Sequence, residues 1–324
     1  MIRMLRLLPT GLALLGLLTA CAGHSVASGN ANFVPTGNDT ANRQTFHFTG
    51  VVQTFQVPGG VDKVTITAEG AGTSSARGGL VKATVAVTPG DALSITVGGA
   101  PHGKQGGYNG GADGGPCALE NGCPLRGDGG AGASDVRLGG SALQDRILVA
   151  GGAGGRGGPG TFHGGAGAAG GGVVGGHGDN GVPVGFKHGS YGHVDAGGGA
   201  GGATQRRGGT KGAAGTYGYI PGNPGTAGSL AIGGGGASNY CEICSISYSL
   251  LAGGSGGGGG GGYYGGGGGG SGASSYQYVY QGRKALGSGG GGGGGSSFVK
   301  SGAQNVSIET GKGGTTNGLI VISW

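Results

Sequence analysis

The stretch Gly253–Gly272 reads GGSGGGGGGGYYGGGGGGSG, and tracts of the same kind run from Gly98 to Gly295. Glycine supplies 96 of the 324 residues, whereas proline supplies only 11. No strict Gly-X-Y period runs through the chain, so collagen is excluded. Charged residues are only 10% of the chain, which does not match a segment kept disordered by its charges. The glycine tracts therefore require a structural explanation, and the sequence around them provides one.

The N-terminus has the pattern of a bacterial export signal. Arg3 and Arg6 form a short basic region, and the apolar run Leu7–Leu17 that follows is too short to span a bilayer. Leu18-Thr19-Ala20-Cys21 resembles the lipobox of bacterial lipoproteins. That resemblance implies removal of residues 1–20 and lipid attachment at Cys21, with a plain secretory signal as the alternative.

Residues 21–43 form the predicted lipidated N-terminus and a flexible stalk, because they are small, polar and unpatterned. We therefore expect a membrane-anchored lipoprotein of the bacterial cell envelope, exposed outside the cytoplasm. Ala22 after the lipobox is compatible with sorting to the outer membrane if the cell is Gram-negative. Removing two arginines with the signal leaves 17 basic and 13 acidic residues, a net charge of 17 − 13 = +4.

Both ends of the remaining domain, residues 44–324, predict antiparallel β-strands. Apolar residues alternate with polar ones in three consecutive segments: Val64, Ile66 and Ala68; Val81, Ala83, Val85 and Val87; and Leu93, Ile95 and Val97. This period of two indicates strands with one buried face. Strands are predicted within 45–97 and 297–324, and the final run Gly318–Trp324 is apolar enough for a central strand. A single β-sandwich interrupted by a glycine-rich insertion, 98–296, follows from this pattern.

One hairpin inside the insertion, 134–150, supports a family resemblance. Residues 134–138 (SDVRL) and 146–150 (RILVA) flank a Gly139-Gly140 connection. The sequence here resembles the glycine-rich domain of the anaplastic lymphoma kinase and leukocyte tyrosine kinase receptors and of bacterial glycine-rich proteins grouped with them. The resemblance is carried by Gly129–Arg137, Arg146–Arg156, Gly106–Gly111 and the closing GLIVISW, and it covers most of residues 45–324.

The resemblance implies a fold and a location. It implies an all-β, antiparallel TNF-like or jelly-roll-type β-sandwich, interrupted by tracts packed side by side as polyglycine II helices, outside the cell. The kinase and transmembrane parts of the receptors have no counterpart here, so receptor signalling is not implied. Physically, a three-residue-per-turn helix makes no internal hydrogen bonds, and only glycine lets neighbouring helices bond backbone to backbone.

Four cysteines remain after the predicted processing: Cys117, Cys123, Cys241 and Cys244. An even count in an exported protein predicts two disulfides, for which three connectivities exist. The simplest pairing joins the cysteines that are close in sequence, Cys117 with Cys123 and Cys241 with Cys244. Because Cys241-Glu242-Ile243-Cys244 is a C-x-x-C motif, zinc binding and redox activity are the alternatives.

Tyrosines supply the candidate binding surface. Tyr276, Tyr278 and Tyr280 alternate and so share one face of a predicted strand, and Tyr263 and Tyr264 interrupt the longest glycine tract. Tyrosine is favoured at recognition sites. The alternative is a set of rings that only pack on glycine backbones.

No catalytic or cofactor constellation stands out. The histidines His163, His177, His188 and His193 match no metal-ligand spacing, and Gly98–Lys104 lacks the Ser/Thr and the helix of a phosphate loop. Arg-Gly-Gly triplets occur, but export argues against a nucleic-acid partner. We therefore expect no enzyme, cofactor or metal, and a surface module that binds an extracellular protein or glycan, adheres, or coats the envelope. A surface hydrolase of envelope polymer is the alternative, although acidic residues are scarce and scattered.

Overall fold

The computed structural model describes residues 42–117, 124–185, 193–239, 253–275 and 285–324. Residues Thr40–Trp324 form one compact unit. The proposed signal peptide, lipobox and stalk therefore lie outside the described residues, except for the last two stalk positions.

The fold is essentially all-β, with one short 3₁₀ turn, Leu143–Asp145, among the described residues. Its strands are β1 (Arg43–His47), β2 (Gln53–Gln56), β3 (Lys63–Glu69), β4 (Leu80–Ala86), β5 (Ala92–Thr96), β6 (Ser134–Leu138), β7 (Arg146–Ala150), β8 (Val184–Gly185), β9 (His193–Val194), β10 (Ser274–Ser275), β11 (Ala285–Leu286), β12 (Phe298–Val299), β13 (Gln304–Glu309) and β14 (Leu319–Ser323).

Two five-stranded antiparallel sheets make a β-sandwich. The first sheet has the order β1-β14-β3-β4-β13 and the second has the order β12-β7-β6-β5-β2. The strands β3 and β4 alternate buried and exposed residues along their length, as the period of two predicts. The predicted hairpin is β6 paired with β7. The C-terminal strand β14 lies between β1 and β3, so the last residues close a sheet begun at Arg43.

One hydrophobic core joins the two sheets. Ile66 and Ile322 from the first sheet and Leu93, Val136 and Leu148 from the second belong to the same buried cluster. All five side chains are almost completely excluded from solvent. Burial of such side chains stabilises a domain by about 1.5–3 kcal/mol each. The sandwich therefore has a core of its own and forms the base of the glycine-rich part.

The glycine tracts continue directly from strands of the sandwich. The chain leaves β7 at Gly151, enters β6 from Gly132, and enters β12 from Ser297. Between Gly151 and Ser297 the described residues form extended tracts that run back and forth, and apart from the short strands β8 to β11 and a few isolated bridges they belong to neither helix nor sheet. We call the end of the tracts at the sandwich the proximal end and the opposite end the distal end.

The tract Gly287–Gly295 lies at the centre and bonds to six other tracts. Its amide groups donate in turn to three of them, and each neighbour is reached again after three residues. Gly287, Gly290 and Gly293 donate to the tract 267–273. The residues that follow each of these donate to the tract 176–182, and the next ones donate to the tract 152–158. Its carbonyl groups accept from three further tracts, first from Gly254, Gly197 and Gly165 and then at the same interval of three residues. Every amide and carbonyl of this buried segment is thus satisfied.

Outer tracts carry side chains on the faces that no other tract covers. In the tract that contains Gly209, Gly212 and Gly215, these glycines face inward and donate to the carbonyls of Gly265, Gly268 and Ser271. The exposed faces carry side chains at three-residue intervals: Val174, His177 and Asn180; Thr210 and Ala213; and Pro224 and Ala227. A side chain is tolerated at these positions because its Cβ meets solvent rather than the backbone of a neighbouring tract.

Candidate binding surfaces at the ends of the glycine tracts

Two turns at the distal end expose aromatic side chains. The turn at 160–163 presents Phe162, and the turn at 216–220 presents Tyr217 and Tyr219, which are 50%, 61% and 60% exposed. Ile220, next in the chain, is buried, and its amide bonds to the carbonyl of Ser274. The tyrosine turn is therefore fixed to the glycine tracts at one side while its rings face solvent.

Asp195 holds the tyrosine turn in place. One oxygen of its carboxylate accepts hydrogen bonds from the Tyr217 amide at 2.8 Å and from the Thr216 hydroxyl at 3.1 Å. Its other oxygen lies 2.8 Å from Nε2 of His193, whose ring centroid is 5.7 Å from that of Tyr217. The carboxylate, the imidazole and the exposed ring thus form one polar and aromatic cluster on the distal surface.

The pKa of Asp195 reflects this network. Burial acts to raise the pKa, but hydrogen bonds from the Tyr217 amide, Thr216 and His193 outweigh it, so the pKa lies below its ordinary value of 3.8. The carboxylate is consequently the form present at neutral pH, and it is the form that accepts these hydrogen bonds.

Four internal segments lie outside the described part of the chain: 118–123, 186–192, 240–252 and 276–284. They include Tyr276, Tyr278 and Tyr280, as well as Cys123, Cys241 and Cys244. The predicted tyrosine strand face and the predicted pairing of these cysteines therefore stay predictions, as does the lipid attachment at Cys21.

Tyr263 and Tyr264 lie at the proximal end, packed against the sandwich. The ring of Tyr263 stacks on Phe298, with centroids 4.1 Å apart, and meets Tyr264 edge to face at 5.5 Å. Both tyrosines are partly buried. These contacts are those of a ring cluster that packs a glycine turn onto the sandwich. They fit the alternative interpretation of these two residues, in which the rings pack rather than bind a ligand.

The buried Arg146 fixes the same turn to β7. Its guanidinium lies 4.8 Å from the centroid of the Tyr263 ring and donates to the carbonyls of Gly262 at 3.1 Å and Tyr263 at 3.3 Å. Its Nε donates to the carbonyl of Leu143 at 2.9 Å. Burial lowers the pKa of Arg146, and the nearby Asp135 opposes that effect. Arg146 thus joins the start of β7 to the glycine turn that contains Tyr263 and Tyr264.

Among the described residues, Tyr263 and Tyr264 lie at the other end of a glycine tract from β10, the strand that precedes Tyr276. A tract of nine residues, 265–273, separates the Tyr263–Tyr264 turn from β10, after which the chain leads to Tyr276. At about 3.1 Å per residue this tract spans roughly 28 Å. Tyr263 and Tyr264 belong to the proximal end, and the distal end exposes Tyr217 and Tyr219 instead.

Cys117 and Asn239 meet at the distal end. Nδ2 of Asn239 lies 3.5 Å from Sγ of Cys117, and the Asn239 amide donates to the carbonyl of Pro116 at 3.4 Å. Cys117 is disulfide-bonded. Its partner lies outside the described residues, so the connectivity of the cysteines is not assigned.

The described residues hold no group of three or more His, Cys, Asp or Glu side chains arranged to bind a metal ion. In the same part of the chain, no helix has the length and apolar character needed to cross a membrane. His163, His177 and His193 stand on different distal turns or tracts, and His188 is outside the described residues.

Sequence reasoning missed the exposed distal residues Phe162, Tyr217 and Tyr219. A signal was present, because Tyr217 and Tyr219 interrupt a run with glycine at every third position, Gly209, Gly212, Gly215 and Gly218. Large side chains that follow the last glycines of such a run are expected at its end, where the tract turns.

Comparison with protein-family models gives no match. Comparison with the curated proteins gives no significant match either.

Proposed function

We propose that the chain is a lipid-anchored module of the bacterial cell surface that binds an extracellular protein or glycan through the distal turns. In this proposal the sandwich has a TNF-like, jelly-roll-type topology, and the glycine tracts are polyglycine II helices. Cys21 carries the lipid, and residues 21–43 are the stalk.

The hydrogen-bond period supports the polyglycine II assignment. The central tract directs each amide to one of three neighbours and returns to the same neighbour after three residues, as at Gly287, Gly290 and Gly293. Three residues per turn is the period of the extended helix that lacks internal hydrogen bonds. Packing with six neighbours also explains why 287–295 contains only glycine and one serine, since a larger side chain has no open face there.

The observation that carries the binding proposal is the position of the exposed aromatic side chains. The chain enters the sandwich at Arg43, which pairs with Ser323, whereas the other end of β1, at His47, pairs with Leu319 beside the glycine tracts. Anchoring through the N-terminal segment therefore holds the domain by the end opposite to the distal turns. Phe162, Tyr217 and Tyr219 lie on those turns. The glycine tracts that carry the turns are joined to one another by backbone hydrogen bonds.

The chemistry of the distal cluster fits a protein or glycan ligand. Tyrosine rings offer an apolar face and a hydroxyl group and lose little conformational entropy when bound. The Asp195 carboxylate and the His193 imidazole add hydrogen-bonding groups beside them. Rigid aromatic anchors with polar neighbours are typical of recognition surfaces.

The proposal is tested by screening the Thr40–Trp324 fragment against arrays of glycans and extracellular proteins. We expect at least one ligand whose affinity falls about tenfold or more in Tyr217→Ser with Tyr219→Ser, because interface tyrosines often contribute more than 1 kcal/mol. The control is Val306→Ser, which removes an exposed apolar side chain from β13. Absence of any ligand, unchanged binding in the tyrosine variant, or cleavage of an arrayed polymer would each contradict the proposal.

A further inference from the structure

Four turns at the proximal end form one continuous surface, which we call the shoulder: 171–174, 204–207, 229–232 and Tyr263–Tyr264. Val174 pairs with Thr204, and Leu230 pairs with Tyr264. Ser296 joins the two pairs, because its hydroxyl donates to the carbonyl of Thr204 at 2.9 Å and accepts from the amide of Tyr264 at 3.2 Å. The four turns are thus neighbours in space although they span about 90 residues of sequence.

Aliphatic side chains project from two of these turns. Val173 and Val174 are 55% and 47% exposed, and Leu230 and Ile232 are 41% and 56% exposed. Ala231, between the last two, has φ +68°, a left-handed conformation that makes the turn tight. Large apolar side chains gathered at turn tips, rather than scattered singly, indicate an interaction surface.

Two arginines lie between the aliphatic turns. Arg206 and Arg207 are exposed, and neither takes part in an ion pair found among the described residues. The shoulder turns contain no Asp or Glu. Glu309, whose carbonyl lies beside Gly171, is the acidic residue on the flank of the shoulder, and Lys312 follows it three positions later. The surface is therefore apolar and basic at once.

We propose that the shoulder binds the surface of a membrane that contains anionic lipids, with the aliphatic turns entering the interface and Arg206 and Arg207 contacting lipid phosphates. Apolar side chains beside arginines are the pattern of interfacial membrane contacts. A second copy of the chain fits less well, because a symmetric contact would oppose arginines with arginines and no acidic partner. Contact at the shoulder leaves the distal turns facing away from the membrane, which is compatible with the proposed function.

The experiment measures co-sedimentation of the Thr40–Trp324 fragment with phosphatidylcholine vesicles, with and without phosphatidylglycerol. This fragment lacks Cys21, so the result does not depend on the lipid anchor. We expect binding to the anionic vesicles that weakens with added salt. Arg206→Gln with Arg207→Gln should weaken it about 20- to 30-fold, taking about 1 kcal/mol for each arginine near the surface. Val173→Ser with Ile232→Ser should weaken it about tenfold or more.

Matched controls change the same chemistry elsewhere. Lys63→Gln with Lys82→Gln removes two charges from the sandwich, and Val51→Ser with Val52→Ser removes two exposed valines from the connection between β1 and β2. Neither control should reduce binding more than about twofold, apart from the general effect of charge.

Three outcomes would overturn the inference: equal binding to neutral and anionic vesicles, an equal loss in the control variants, or concentration-dependent self-association that the shoulder variants abolish. The distal Tyr217→Ser with Tyr219→Ser variant separates the two proposals. It should bind vesicles like the wild type even if it has lost its ligand.

Discussion

Replacing Gly292 by alanine is expected to lower the free energy of unfolding by about 3 kcal/mol or more. A Cβ at this position would overlap the carbonyl oxygen of Gly258 in a neighbouring tract. Separating the two tracts breaks backbone hydrogen bonds worth about 1 kcal/mol each, and overpacking adds about 1–3 kcal/mol. Because domains have only about 5–15 kcal/mol of stability, the variant should unfold at markedly lower denaturant concentration or express poorly.

The matched control is Gly235→Ala in an outer tract. A Cβ there would meet only the Thr226 hydroxyl at 3.7 Å and the Asp113 carbonyl at 4.0 Å, which are ordinary contacts. We expect its stability to stay within about 1 kcal/mol of the wild type, since alanine also restricts the unfolded chain. Chemical denaturation of Thr40–Trp324 followed by tryptophan fluorescence compares the two, and equal losses would mean that the position in the bundle does not matter.

Cys21→Ser is expected to release nearly all of the protein from membranes. Stable anchoring needs two or more acyl chains, and the proposed lipidation at Cys21 supplies them. The shoulder alone would give weaker binding that high salt reverses. Membrane fractionation after a salt wash is the measurement.

Ser25→Ala, four residues downstream of the proposed lipid site, is the control and should leave the protein on the membrane. If the Cys21→Ser protein stays in the washed membrane fraction, the anchor assignment is wrong. Mass spectrometry of the purified protein gives an independent check, because the wild type should carry the mass of the lipid and the variant should not.

The sandwich could be predicted from the sequence because its strands follow simple rules. Alternation in β3 and β4 marks the buried faces, and the apolar run in β14 marks a central strand paired with segments made about 250 residues earlier. The β6–β7 hairpin follows from the two short runs SDVRL and RILVA on either side of Gly139-Gly140. These features depend on local pattern and on burial of one face, both of which are visible in a single sequence.

The arrangement of the glycine tracts could be predicted only in part. A tract without side chains, such as 287–295, must be surrounded, and a tract with side chains at every third residue must have an open face. Which tract lies beside which depends on the backbone pairings of the folded chain, because glycine has no side chain to specify a neighbour. For the same reason the sequence did not separate Tyr263 and Tyr264 from the distal end, or reveal that Arg146 anchors their turn.

The distal turns and the shoulder were missed for a related reason. The aliphatic residues of the shoulder form two short groups in the sequence, Val173-Val174 and Leu230–Ile232, with about 55 residues between them. They become one surface only because tracts that follow one another along the chain run in opposite directions, which places every second turn at the same end. Exposed residues of this kind carry no periodic signal, so the folded structure is needed to group them.

The central claim is that the glycine tracts are an ordered scaffold, and amide hydrogen exchange tests it most directly. Mass spectrometry of peptides that cover 287–295 compares their exchange with that of β3, whose residues Ile66 and Ala68 lie in the core of the sandwich. We expect the tract to be protected to a similar degree as β3, because every amide in it donates to a neighbouring tract. Exchange at the rate of an unstructured peptide, with β3 still protected, would contradict the account.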